Sequence, residues 1–272
     1  MDLATLGGLI IGAVVVVVVM ILDGGSPAEL FAVPQAILLI VGGSLAATTI
    51  TVPLSVFLKL PKFLQIAITE KHMDVSGTIE MLVKMTDRAR REGLLALEEE
   101  SKKIEDPFMR KAIMLLVDGV DASQVRAIME TSIEQMAERH KSGYGYFTAA
   151  GGFAPTFGII GTVMGLISVL KELDNPGKLA KSIAAAFLAT LWGLLFSNLI
   201  YLPLGNKLKA KSEEEVNYRL MIMEGVLSLQ AGENPRVLRE KLSAYLPPAG
   251  EGKQKAEKGS EAPAGQPAGQ KA

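Results

Sequence analysis

Four uncharged runs interrupt an otherwise charge-rich helical pattern. Leu3–Leu22, Leu30–Leu58, Ser142–Leu170 and Ser182–Asn206 each carry no Asp, Glu, Lys, Arg or His. A helix needs about 20 apolar residues to cross the ~30 Å hydrocarbon core of a bilayer, so each run predicts a span. Between the second and third runs the apolar positions recur at helical spacing among charges. Asp74 or Ser76 can cap a helix carrying Ile79, Leu82, Val83 and Met85 that ends near Gly93. Leu94–Ile104 predicts a second helix. Asp106-Pro107 starts a third that stops at Gly119, with Asp as N-cap and Pro at the first helical position. From Asp121 onward Val125, Ile128, Met129, Ile133, Met136 and Ala137 mark a fourth, and nothing beyond Gly143 and Gly145 separates it from the third span. One long helix entering the membrane is expected. After the fourth span, Leu208–Gln230 and Glu233–Tyr245 read as two more helices.

The third span organises the rest. Ala149–Leu170 carries Pro155, the hydroxyls of Thr156 and Thr162, and glycines at Gly158, Gly161 and Gly165 that share one helix face. Small residues let a neighbouring backbone approach closely in a membrane. A proline frees a carbonyl, tolerated in lipid only where a neighbour or a polar path satisfies it. Two readings stand: a tightly packed internal helix, or a helix lining an ion path. The fourth span has the same mixture, with Ala189 and Thr190 at mid-membrane and Pro203 near its end. The first span is β-branched, with no polar face along Val14–Val19, and reads as lipid-exposed. The second contains Pro34, Pro53 and several hydroxyls; being longer than a bilayer requires, it should tilt, kink or emerge as an interfacial helix towards Leu64.

Composition narrows the function. With 272 residues, 49% of them hydrophobic, and a mean hydropathy of +0.30, the chain is unusually apolar for a soluble protein. Its formal net charge of −1 gives none of the basic surplus that nucleic-acid binding needs. There is no cysteine, and the only histidines are His72 and His140, too few for a metal site. No cofactor is expected. No phosphate loop, nucleophile–base pair or paired buried acids is present, so the chain does not read as an enzyme.

Lysines and arginines collect after span two, before span three and after span four, which places both termini and the long middle segment in the cytoplasm. The expected class is therefore all-α: a polytopic membrane protein with four transmembrane helices and a cytoplasmic helical domain. Residues 1–60 form the first hairpin, 61–141 the cytoplasmic domain, 142–206 the second hairpin, 207–246 the C-terminal helices and 247–272 a disordered tail. The tail is Pro, Gly, Ala, Lys, Glu and Gln, which cannot bury a core. A charge-dense segment such as 61–141 can be only a solvated face, or it can be a docking surface.

Spans three and four hold hydroxyls, glycines and prolines but no Asp, Glu, Arg or His within the core. An ion path normally needs such a group, or a dense oxygen cage, at membrane depth. If this chain moves ions, a partner supplies the carboxylate.

Several stretches resemble one family. Ala-Pro-Thr-Phe-Gly-Ile-Ile-Gly-Thr in span three, Ala-Thr-Leu-Trp-Gly followed by Leu-Pro-Leu in span four, and Arg90-Arg91-Glu92-Gly93-Leu94-Leu95-Ala96-Leu97-Glu98 are similar to the MotA/PomA family. These are the A subunits of flagellar motor stators, more distantly related to ExbB and TolQ, and the likeness covers roughly residues 1–245. The resemblance implies a bacterial inner-membrane ring, expected as a pentamer, around a dimer of MotB-type subunits whose single span carries an Asp. It implies a rotor switch protein of the FliG type as the second partner. Carried over residue by residue, it implies rotor contact at Arg90 and Glu98, functional prolines at Pro155 and Pro203, and ion-path positions at Thr162, Ala189 and Thr190. Sodium-type members tend to show Thr-Thr where this chain has Ala189-Thr190. The expected coupling ion is therefore H+, with a sodium-driven PomA-type stator as the alternative. Ion flow past the partner's Asp would change the packing of spans three and four, and the Arg90–Glu98 segment would pass that motion to the rotor. An ExbB/TolQ-like energiser of outer-membrane transport is the nearest rival. Those proteins usually have one span before the large cytoplasmic part, and this chain has two. A self-contained transporter would need inverted repeats or intramembrane charges, and neither is found.

Overall fold

Capping chemistry written in the sequence sets several of the helix starts. The computed structural model describes residues 3–69, 73–171 and 176–246, and every regular element among them is helical. In chain order these are α1 (Leu3–Leu22), a 3-10 turn (Pro27–Phe31), α2 (Pro34–Ile50), α3 (Leu54–Phe57), α4 (Leu60–Ile68) and α5 (Val75–Glu92). Then come a second 3-10 turn (Leu94–Ala96), α6 (Leu97–Ser101), α7 (Pro107–Val117), α8 (Ala122–Lys171) and α9 (Pro176–Leu195). A π-helix (Phe196–Tyr201), α10 (Leu202–Gln230) and α11 (Pro235–Ser243) complete it. The carboxylates of Asp74 and Asp106 accept from the amides of Gly77 and Met109, each at 2.8 Å, and Asn234 caps α11 through Arg236. At the start of α8, Asp121 accepts from the Ser123 hydroxyl and amide, which holds its carboxyl below the usual carboxylate range. His72 and the tail 247–272 lie outside the described residues.

α1, α8 and the run from α9 through α10 are long and apolar enough to cross a membrane, and α2 adds a shorter apolar helix of 17 residues. The second apolar run is thus not one helix over Leu30–Leu58. Pro34 restarts the chain after the 3-10 turn, and Pro53 forces Val52 out of helical geometry, so α2 ends at Ile50. α4 (Leu60–Ile68) follows as a separate amphipathic helix that includes Leu64. The helix expected over Leu94–Ile104 is also shorter. Gly93 turns at a φ of 83°, a 3-10 turn follows, and α6 stops at Ser101 before the extended approach to Pro107. α8 runs unbroken for 50 residues through Pro155.

The chain divides into two compact units. The first comprises Met1–His72 and Thr131–Val216. Its core gathers Ile40, Ala67, Phe147, Ala150, Ala154, Tyr201, Leu204 and Leu208. Val14, Val15, Val18 and Val19 of α1 stay exposed, as a helix at the edge of a membrane bundle should. Hydroxyls in α2 turn back on their own helix, Thr48 and Thr49 donating to the Ser44 and Leu45 carbonyls at 2.7 Å each, which hides them from lipid. Lys211 donates to the carbonyls of Ile66 and Thr69, tying the end of α4 to α10.

The second unit comprises Met73–Glu130 and Asn217–Ala272. Leu82, Leu97, Ile113, Leu116, Met129, Met221, Ile222, Leu229 and Leu238 are fully buried in it. Complete burial of an aliphatic side chain of this size stabilises by roughly 1.5–3 kcal/mol before entropy is counted. Thr78 and Tyr218 share a hydrogen bond at 2.9 Å, and the Arg219 guanidinium lies over the Phe108 ring at 5.0 Å. Lys241 pairs with Glu224 and Glu233, and these partners, Glu224 above all, raise its pKa.

Candidate functional site

Small residues decide how α8 meets α9. A β-carbon at Gly158 would lie 3.1 Å from the Ala189 carbonyl oxygen, and one at Gly193 only 2.9 Å from that of Ala154. Gly161 and Gly165 similarly face Ala189 and Ala186, with β-carbons 2.8 Å from where theirs would be. Backbone therefore packs on backbone along this seam. Packing of this kind holds membrane helices together where lipid supplies no hydrophobic drive.

Thr162 and Thr190 meet in the seam. Their hydroxyls are hydrogen-bonded to one another, and Thr162 Oγ1 also lies 3.0 Å from the Ala186 carbonyl and 3.1 Å from that of Gly158. Both threonines are half-buried. Ala189 is 2% exposed: its methyl lies against Gly161 in the seam, and it packs with Val33, just before α2, and with Ala36 of α2. The three positions expected on the ion path thus comprise a hydroxyl pair and a methyl packed against Gly161 of α8 and against the start of α2. Beside the pair, Ile159, Val163, Met164 and Ile167 of α8 and Leu191 and Leu194 of α9 are exposed. Trp192 anchors the other side of α9, donating to the Leu30 carbonyl at 2.7 Å.

The prolines sit at different kinds of place. Pro155 is half-buried inside α8, where its missing amide leaves the Gly151 carbonyl without a helical donor. Ser197 donates to that carbonyl at 2.7 Å. Pro203 is exposed in the first turn after the π-helix and borders a groove with Thr5, Gly8 and Leu199. Sequence reasoning missed both Ser197 and the π-helix. A serine amid apolar residues in span four was the available signal, since such hydroxyls commonly bond across helices.

Arg90 and Glu98 stand on either side of the Gly93 turn, and both are exposed. No ion pair joins them among the described residues; Glu98 pairs with Lys102 at 3.5 Å. The turn is held by neighbours that periodicity did not single out. Arg88 reaches Glu92 at 3.0 Å and Glu100 at 2.6 Å, and Glu100 also takes Lys103 at 3.2 Å. Hydrogen bonding to Glu92 raises the Arg88 pKa further above its ordinary value. The structural charges are consumed inside the turn, which leaves Arg90 facing outward.

Among the described residues no cluster of three or more His, Asp or Glu could hold a metal. His140 shares a hydrogen bond with Ser212 at 3.1 Å. Spans three and four carry no Asp, Glu, Lys, Arg or His, so the hydroxyl seam alone has no carboxylate to hold a proton or balance a cation's charge.

Fold and site together define a polytopic helical membrane protein with an uncharged, hydroxyl-bearing helix pair. Residues 100–221 match the MotA/TolQ/ExbB proton channel family. Over 248 residues the chain is 40% identical to motility protein A of Bacillus subtilis (strain 168), covering 91% of this chain and 92% of that one. It is 41% identical over 246 residues to the chemotaxis protein PomA of Vibrio alginolyticus, covering 90% and 96%. The flagellar MotAB stator complex from Bacillus subtilis superposes with a TM-score of 0.84 at 38% identity, covering 94% of this chain and 98% of that one. The chain belongs to the motility protein A family. Its nearly full-length likeness to MotA- and PomA-type proteins makes it a stator subunit rather than an energiser of the ExbB/TolQ type, in a family of channels rather than enzymes.

Proposed function

We propose that this chain is the A subunit of a proton-driven flagellar stator in the bacterial inner membrane, with both termini in the cytoplasm. A ring of copies, five in the expected assembly, surrounds MotB-type subunits whose membrane Asp carries the proton. One observation carries the reading: α8 and α9 meet through Thr162 and Thr190 in spans that hold no Asp, Glu, Lys, Arg or His of their own. A proton can pass along water and one borrowed carboxylate. A dehydrated sodium ion needs several close oxygen ligands, and Ala189 offers none. Protonation of the partner's Asp alters how it packs against the seam. The resulting motion reaches a FliG-type rotor protein through the exposed Arg90 and Glu98.

The coupling ion is tested by swimming. In a host whose own A subunit is deleted, this chain and its cognate partner should restore motility that collapses with a protonophore. Replacing external sodium by potassium should leave speed unchanged. Speed that rises with sodium at fixed pH and membrane potential overturns the proton assignment.

A further inference from the structure

Two helix defects face each other in the first unit. Pro155 cannot donate to the Gly151 carbonyl, and in a bilayer another donor must satisfy that group. Opposite it, the π-helix Phe196–Tyr201 interrupts the run from α9 to α10. π-Helices are uncommon and concentrate at functional places because each holds one residue more per turn than its flanks. Ser197 lies within it, 3% exposed, and its hydroxyl donates to the Gly151 carbonyl at 2.7 Å. A helical serine or threonine usually bonds back to its own preceding turn, as Thr156 and Ser168 do in α8. Ser197 instead bonds across to the carbonyl that the proline exposes.

The surroundings leave little slack. A β-carbon at Gly151 would come within 2.6 Å of the Leu202 side chain, and one at Gly205 within 3.3 Å of the Thr148 amide. Return of the π-helix to α geometry would turn the residues beyond it by about 100° relative to those before it. Ser197 could not then face Gly151 with the present packing on both sides.

We propose that Ser197 is a positioning residue for torque generation. Its hydroxyl ties the proline defect of α8 to the π-helix, so that movement at the Thr162–Thr190 seam is carried into α10 instead of being absorbed at Pro155. The inference rests on the stator reading.

The test uses the full chain with its partner in a host lacking its own A subunit. Swimming restored by the unaltered chain secures the stator reading; absence of swimming there counts against that reading and leaves the Ser197–Gly151 bond to be judged by the melting measurement below. Ser197→Ala should reach normal membrane levels yet swim several-fold more slowly, most clearly under viscous load. Ser197→Cys, a weaker donor of similar volume, should fall between; if Ser197→Ala does not accumulate, the cysteine variant decides. A melting cycle on the purified chain tests the bond itself. Pro155→Ala returns a backbone donor to Gly151, so Ser197→Ala should lower the melting temperature beside Pro155 and have little effect beside Ala at that position. Full-speed swimming of the variant that accumulates, at every load, or an equal loss of melting temperature in both backgrounds, overturns the proposal.

Discussion

A missing methyl group is the smallest feature that matters here. At Gly193 and Gly158 the nearest neighbours are backbone atoms, which cannot rotate aside. Overpacking of this kind costs roughly 1–3 kcal/mol. Gly193→Ala should therefore lower the melting temperature and the membrane level of the protein. Gly152→Ala, with nothing within 4 Å, should be neutral or mildly stabilising through helix propensity. Equal effects at the two sites would contradict the seam. The α8 side of this seam was legible in the sequence because spacing alone puts Gly158, Gly161 and Gly165 on one face, whereas Gly193 was not singled out. The Ser197–Gly151 bond was not legible. It depends on which residue of another helix arrives opposite a proline, and no local rule fixes that.

At the level of helices, caps and prolines were the reliable signals and hydropathy the weaker one. Asp74 and Asp106 announced α5 and α7 because side chain and backbone chemistry agree within four residues. The second apolar run looked continuous, yet Pro34 and Pro53 trimmed it to a 17-residue helix. The π-helix left no trace in a 3.6-residue reading, since its extra residue shifts the phase without changing composition. The Gly93 turn between α5 and α6 carries its own prediction. Arg88, Glu92 and Glu100 brace the turn, while Arg90 and Glu98 are exposed and unnecessary to it. An Arg90→Glu, Glu98→Lys double variant should keep normal membrane levels and lose most of its motility. Full swimming by that variant would sink the proposed rotor contact. Arg88→Ala should instead loosen the turn and reduce the amount of protein, a different failure on the same helix.

For the molecule as a whole, the pattern of apolar faces announced helices but not their company. Residues 217–246 join 73–130 in one compact unit although residues 131–216 separate them. Amphipathic periodicity marks which face is buried and is silent about what buries it. The absence of Asp, Glu, Lys, Arg and His from spans three and four was plain in the sequence, and it sets the expected behaviour of the isolated chain. Purified without its partner and placed in liposomes, the protein should pass no protons above the lipid background. Measurable flux in a pH-jump assay would mean that the hydroxyl seam conducts unaided.

That uncharged interior also bears on how the protein is made. An Asp, Lys or Arg at the centre of a span raises the cost of insertion by about 2.5–3.5 kcal/mol, and this chain asks the translocon for none of it. It can enter the bilayer and close its glycine seam before any partner is synthesised. On the proposed reading the costly intramembrane acid belongs to the partner polypeptide, which would find its polar surroundings already built. Order of synthesis would then keep a half-assembled complex from leaking.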